Sequence, residues 1–252
     1  MYGSIMKTYY AEKMGIAPEN IYVASVMPCV TKKFEITREH QSASGHPDVD
    51  VVITTNELAA MIKQAGIVFE DLPDDDFDPA FGVATGAGHI FGATGGVCEA
   101  TLRTVHELVT GKELEKLEFN EVRGTKGIKE AEYDLGGKKL KVAVVSGTAN
   151  AKKLMDMIEN GEKEYHFVEV MGCPGGCVNG GAQPYQPGYV RNFVNISAER
   201  AKALYSEDKA STFRKSHENP VIKELYDTYL GKPGGDKAHE LLHTSYVKRK
   251  VY

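Results

Sequence analysis

Two apolar, β-branched runs each break off directly into a cysteine-bearing loop, and this repeated arrangement narrows how the chain can fold. The first, Ile21-Tyr22-Val23-Ala24-Ser25-Val26, fits a buried strand that ends at Met27-Pro28-Cys29. Pro28 cannot donate to a ladder, so Cys29 falls where strand gives way to loop. The second, Tyr165 to Val170, runs into Cys173-Pro174-Gly175-Gly176-Cys177. In open α/β sheets, ligands bind at the carboxyl ends of strands. Two strand–helix assemblies delivering cysteines to a site in the cleft between them is therefore the expected arrangement.

The intervening sequence predicts an α/β chain. Val49 to Ile53 reads as a strand, and Thr54 meets Glu57 at capping-box spacing. The helix that follows reaches Ala65 and stops at Gly66. Strand followed by capped helix is a β–α unit, which favours parallel sheet. Glu70 to Asp78 is an acidic loop, and the glycine run Gly86 to Gly96 opens a helix through Leu102, Val105 and Leu108. Leu117 to Val122, Ala131 to Leu135 and Leu140 to Val145 read as strands, the last two joined by a hairpin turn at Gly136-Gly137. Thr148 to Asn160 reads as a helix ending at Gly161. From about 197 the pattern is helical, with breaks near Asn219-Pro220 and from Gly231 to Gly235. The expected fold is two lobes of mostly parallel sheet flanked by helices, with a boundary near 120–140.

The bulk numbers bound the class. A chain of 252 residues with 42% hydrophobic and 26% charged residues is ordinary for a globular protein. A formal charge of −5 disfavours nucleic acid or anionic membrane as main partner, since both attract clustered Lys and Arg. No apolar run is long enough to span a bilayer, and residues 1–14 lack the apolar core of a secretory signal. A cytoplasmic chain is expected. There disulfides are disfavoured, and the four cysteines are left for metal binding, redox chemistry or plain burial.

Cys173 and Cys177 are four residues apart. Their thiolates can grip one metal centre if the loop is tight, and Gly175 and Gly176 permit the positive φ angles that such a turn needs. The competing reading is a glycine-rich turn with two incidental cysteines. Cys29 is a weaker signal, since a cysteine at a strand end is often simply buried. Lys32 and Lys33 are either a solvated pair or, for Lys32, a cation aimed at an anionic cofactor ligand. The run Gly86 to Gly96 lacks the Gly-Lys-Ser/Thr ending of a phosphate loop, so close backbone packing is expected there over nucleotide binding. Cys98 reads as a small core residue. A four-cysteine iron–sulfur cubane needs four ligands, and Cys29, Cys173 and Cys177 make three.

At this point the residues resemble a known family. Met27-Pro28-Cys29-Val30-Thr31-Lys32-Lys33-Phe34-Glu35 resembles the second signature of the iron-only (FeFe) hydrogenases. The run from Glu169 through Met171, Cys173 and Cys177 to Gln183-Pro184 resembles the third. Similarity extends to Ile53–Leu58, Ile90–Val97, Val122–Gly124 and Ser216–Asn219, so it covers nearly the whole chain. The resemblance implies the H-cluster: a four-iron cubane (4Fe–4S) joined through a cysteine sulfur to a di-iron unit. It implies Cys29 and Cys173 as cubane ligands, with Cys177 both ligating and bridging. Lys32 would pair with a cyanide ligand, Met27 and Met171 would pack on the di-iron unit, and Pro28 and Gln183 would lie beside the cofactor. Glu35 would join the polar network near the proton route. The implied reaction is reversible formation of dihydrogen from protons and electrons, with ferredoxin or another electron carrier as donor.

The family's first signature resembles Thr-Ser-Cys-Cys-Pro-Gly-Trp and is not among these residues; Trp is absent altogether. It supplies the fourth cubane ligand and a cysteine proton donor. The resemblance therefore implies a truncated or split enzyme that partners a missing N-terminal segment, inactive by itself and with its H-cluster absent or incomplete. The alternative is a non-catalytic iron–sulfur-binding or sensory relative.

Overall fold

The computed structural model describes residues 1–78, 81 and 83–247. The chain forms two compact units: Met1–Gly82 with Pro220–Tyr252, and Val83–Asn219. The segment 120–140, where a lobe boundary was expected, lies inside the second unit. The reason is local, because a hairpin pairs this stretch with the strand that follows it.

In the first unit, β1 (Ala24–Met27) pairs in parallel with β2 (Val51–Thr54), with Met27 opposite Thr54. Both strands are shorter than the apolar runs suggest. After β1 the chain bends through Pro28 and Cys29 into α1 (Thr31–Glu35). After β2 it enters α2 (Thr55–Gln64) at once. The capping box is formed: Glu57 N–H donates to Thr54 Oγ1 at 3.1 Å, and Thr54 N–H donates to Glu57 Oε2 at 2.8 Å. Two of the orphan N–H groups of the helix start are thereby satisfied. The core of this unit is Ile5 with Leu225, Leu230, Ala238 and Leu241, so N- and C-terminal segments pack together. The Ser4 hydroxyl donates to the Leu241 carbonyl at 2.8 Å in that core.

The second unit is built on the sheet order β3–β4–β5: β3 (Ile128–Asp134), β4 (Lys139–Ser146) and β5 (Phe167–Met171). β3 and β4 are antiparallel, while β4 and β5 are parallel. Gly136 (φ 65°) and Gly137 (φ 92°) turn the hairpin, the signature of a two-residue primed turn. β4 is buried on both faces. Val142 and Val144 pack with Cys98 and Leu102 of α3 (Gly96–Thr110), while Ala143 and Val145 pack with Leu154 of α4 (Thr148–Glu159). This explains its unbroken apolar run, since a strand covered on both sides has no polar face to alternate with. Each of these buried valines contributes roughly 1.5–3 kcal/mol of transfer free energy.

Leu117 to Val122, expected as a strand, is irregular and closes as a 3-10 turn over Asn120–Val122. Its polar backbone is used differently: the Leu117 carbonyl accepts from Arg103 Nε at 3.0 Å, and Val122 is fully buried against α3. The C-terminal helical pattern is realised as α5 (Ile196–Ala210) in the second unit and Pro220–Leu225 and Asp236–Leu242 in the first. Among the described residues, no helix is long and apolar enough to cross a membrane.

α3 and α5 are tied by a buried charge network. The Arg103 guanidinium donates to Glu99 Oε1 (2.6 Å) and to both oxygens of Asp208 (2.7 and 2.9 Å). Arg123 and Arg214 add further pairs to Glu99 and Asp208. Removing one member of such a network strands the others as uncompensated buried charge. Arg103→Met is expected to cost about 3–5 kcal/mol in urea-induced unfolding. A loss under about 1 kcal/mol, the range of an exposed pair, would show that the network is solvated and not structural.

Candidate functional site

In the first unit the carboxyl ends of two parallel strands converge, as the β–α pattern requires. Met27 ends β1, Pro28 bends the chain, and Cys29 sits half-buried just before α1. Burial opposes ionisation of the Cys29 thiol. The Thr31 hydroxyl, the backbone N–H groups of Thr31 and Lys32, and the Lys32 ammonium outweigh it, and hold the pKa below its ordinary value. One turn further on, Lys32 and Glu35 form an ion pair, both partly exposed. The structure thus brings Met27, Pro28, Cys29, Lys32 and Glu35 together on one strand end and one short helix.

In the second unit Met171 ends β5 opposite Ser146 of β4. Gly172 leads to Cys173, which is half-buried, and Cys177 is exposed at the start of a 3-10 turn over Cys177–Asn179. The loop between them is tight. Gly176 N–H donates to the Cys173 carbonyl at 3.0 Å, and Gly180 N–H donates to that of Cys177 at 2.9 Å. Gly175 (φ 83°) and Gly176 (φ 95°) are both in the left-handed region. A Cβ on Gly176 would lie 2.5 Å from the backbone nitrogen of Thr94, so no larger residue fits. Gln183 is half-buried at the far end of the motif, its N–H donating to the Gly180 carbonyl at 3.1 Å.

The glycine run packs backbone on backbone. A Cβ on Gly95 would fall 1.9 Å from the Val122 carbonyl oxygen, and one on Gly96 would fall 1.8 Å from that of Ile90. The N-terminus of α3 is filled by the protein's own carboxylate: Glu169 accepts from Gly95 N–H at 2.6 Å and Cys98 N–H at 2.8 Å. That is where a phosphate loop would hold phosphate. Glu169 was missed in sequence as a functional position. A lone carboxylate inside the apolar run of β5 was the available signal. Lys129, also missed, is buried and donates to the carbonyls of Gly124 (2.8 Å) and Thr94 (3.1 Å). Burial pushes its ammonium pKa down to about 8.

The donor chemistry fits an iron–sulfur group. Cys29, Cys173 and Cys177 are reachable thiols, no disulfide joins any of the four cysteines, and soft thiolates are the ligands that iron–sulfur clusters take. The glycine cradle between Cys173 and Cys177 allows close approach. Cys98 is not a reachable thiol. It is fully buried in the core with Leu102 and Val142, and burial, with Glu169 nearby, pushes its pKa up to about 12.

A family model described as the C-terminal domain of the iron-only hydrogenase large subunit matches residues 1–181, and one described as iron hydrogenase small subunit matches residues 194–249. The chain is 50% identical over 250 residues to the NADP-reducing hydrogenase subunit HndD of Solidesulfovibrio fructosivorans, covering 99% of this chain and 42% of that protein. It is 31% identical over 255 residues to the cytosolic Fe-S cluster assembly factor narfl of Danio rerio, covering 97% of this chain and 59% of that one. A solved [FeFe]-hydrogenase, HydA(deltaEFG), described as revealing stepwise H-cluster assembly, matches with a TM-score of 0.80 and 43% identity. It covers 98% of this chain and 68% of that structure. The chain thus spans under half the length of the curated hydrogenase.

The thiol environments predict an order of reactivity. With iodoacetamide near pH 7, native protein is expected to be alkylated at Cys29 well before Cys98, which reacts only after unfolding. Peptide mass spectrometry reads this directly, and labelling of Cys98 in the folded state at the rate of Cys29 would contradict the geometry.

Proposed function

Because the chain belongs to the family of iron-only hydrogenase large-chain catalytic domains, we propose that it forms most of the catalytic domain of such an enzyme. The reaction is reversible formation of dihydrogen from two protons and two electrons, with a ferredoxin-type carrier as electron donor. The observation that carries this is the pair of strand ends: β1 and β5 each run into a thiol-bearing loop, and each loop has a methionine immediately before the turn. The identity of 50% to a hydrogenase subunit against 31% to an assembly factor favours this chemistry over a non-catalytic role.

When bound, the H-cluster supplies electron transfer and the metal centre at which protons are reduced. The chain's own residues hold and shape its place. Cys29, Cys173 and Cys177 provide thiolate ligands, and Cys29 is already biased toward its ionised form. Lys32 offers a cation to an anionic ligand, and Glu35 holds that cation one helical turn away. Met27 and Met171 present soft, unbranched side chains that fit against an irregular cofactor. Pro28 fixes the bend after β1, and Gln183 offers amide hydrogen bonds at the end of the second loop.

Three reachable thiols do not complete a four-cysteine cubane, and Cys98 is sealed in the core. Residues 1–252 by themselves therefore bind a cluster incompletely and evolve no hydrogen. The four cysteines without a disulfide suit the reducing cytoplasm, where we place the reaction.

Anaerobic reconstitution with iron and sulfide tests the reading. Residues 1–252 alone should take up well under the roughly four irons of a cubane. The same residues joined to the family's Cys-Cys-Pro signature should approach that value and, after maturation, evolve hydrogen from a chemical reductant. Cys177→Ser in the joined protein should abolish turnover. Turnover by residues 1–252 alone would overturn the claim of inactivity. Iron uptake indifferent to both the added signature and Cys177→Ser would overturn the hydrogenase reading.

A further inference from the structure

Away from the cysteine loops, the second unit gathers an imidazole and two carboxylates at one spot. Glu107 lies in the last turns of α3, three residues after Thr104, and His217 and Glu218 lie on the 3-10 turn over Ser216–Glu218. Residues three apart share a helix face, so Thr104 and Glu107 both meet that turn. One ligand atom from each of Glu107, His217 and Glu218 lies within 4.8 Å of the other two. All three side chains are half-buried.

The trio is held from outside. His217 Nδ1 is 3.1 Å from the Thr104 hydroxyl. The buried Lys215 ammonium donates to Glu218 Oε1 at 3.0 Å and pairs with Glu107 Oε1 at 2.7 Å, where Leu114 N–H also donates at 3.0 Å. Outer partners of this kind orient metal-binding imidazoles and carboxylates. They leave Glu107 Oε2 facing His217 Nε2 at 2.9 Å. A carboxylate oxygen and an imidazole nitrogen at that distance must share a proton or a metal ion. Burial opposes ionisation of Glu107, but Lys215, the Leu114 amide and His217 outweigh it and hold the pKa down to about 2. Glu107, Glu113 and Glu218 all draw on the Lys215 ammonium, so negative charge is in surplus here.

We propose that Glu107, His217 and Glu218 form a binding site for a divalent transition-metal ion of the zinc class, separate from the cysteine ligands. Imidazole suits zinc, whereas calcium and magnesium prefer oxygen ligands alone. Two carboxylates and one imidazole make three protein ligands and leave a fourth tetrahedral position to solvent. With the ring proton on Nδ1 and donated to Thr104, Nε2 turns its lone pair to the ion. In the metal-free form an Nε2 proton donated to Glu107 fills the same gap. The ion clamps the 216–218 turn to α3. No cysteine takes part, so the inference stands apart from the hydrogenase reading.

Calorimetric zinc titration of the full metal-free chain, its reachable thiols blocked with iodoacetamide, tests this. The parent should bind zinc and gain Tm with it. His217→Ala should remove one zinc equivalent. Glu218→Gln and Thr104→Val should each weaken that equivalent about 10–100-fold, Thr104→Val by freeing the ring while every ligand remains. Glu218→Gln keeps the side chain's size and decides the matter if His217→Ala fails to fold. His239 and His243, whose rings stack 4.6 Å apart, offer zinc another place in the first unit, and the lost equivalent separates the two. Zinc uptake by His217→Ala and Glu218→Gln equal to the parent's, or no saturable uptake by the parent, would overturn the site. Displacement of the zinc by an equal concentration of calcium would overturn it in favour of a purely acidic patch.

Discussion

The Glu169 carboxylate is the interaction on which the second unit's site depends. It sits on β5, two residues before the strand ends at Met171, and both its oxygens are spent on the first amides of α3. A buried carboxylate needs charge-assisted hydrogen bonds to be tolerated. A fifteen-residue helix supplies them with its dipole aimed the right way. That single contact fixes the sheet strand that runs into Cys173 against the glycine run that packs on Gly176. The glycines then become obligatory, since Gly95, Gly96 and Gly176 would each drive a Cβ into backbone if substituted. Backbone atoms of two separate segments meet at contact distance because a carboxylate holds the segments in register.

A second polar scaffold works at longer range. Glu99, Arg103 and Asp208 are fully buried and join α3 to α5. Such networks are weak evidence for net stability, because well-packed apolar residues could contribute as much. Their effect here is geometric. α5 carries Ser197, which lies against Gly175, so the lateral position of α5 decides the room available to the cysteine turn. Arg200 adds two direct ties, donating to the carbonyls of Val178 and Pro184 at 3.0 Å on either side of the motif's end. The Cys173–Cys177 loop is thus constrained by β5, the glycine run and α5 independently.

Much of this was legible in the sequence where the cause is local. The Thr54–Glu57 capping box and the Gly136-Gly137 hairpin depend on residues within a few positions of each other, and both formed as their spacing predicts. The strands leading to Cys29 and Cys173 were legible for the same reason, although their ends shifted by one to three residues. Leu117 to Val122 was misread because its alternation reflects burial of Val122 against α3 and a carbonyl claimed by Arg103, neither visible locally. Glu169 and Lys129 were opaque because a buried charge declares itself only through partners 71 to 74 and 5 to 35 residues away. The division into units was hidden by the chain itself, since Pro220 onward returns to pack with residues near the N-terminus.

Cys98 shows how structure decides a question that counting leaves open. Four cysteines equal the number of ligands in a cubane, and arithmetic alone would invite Cys98 into the set. Its thiol is sealed in the core behind Leu102 and Val142, and its backbone N–H is already committed to Glu169. Bringing it to a metal would unpack β4 from α3 and release the carboxylate that places the cysteine loop. Cys98 is thus built into the scaffold that positions the Cys173–Cys177 loop. The thiol count alone therefore cannot enlist Cys98, because packing and the Glu169 contact hold it in the core.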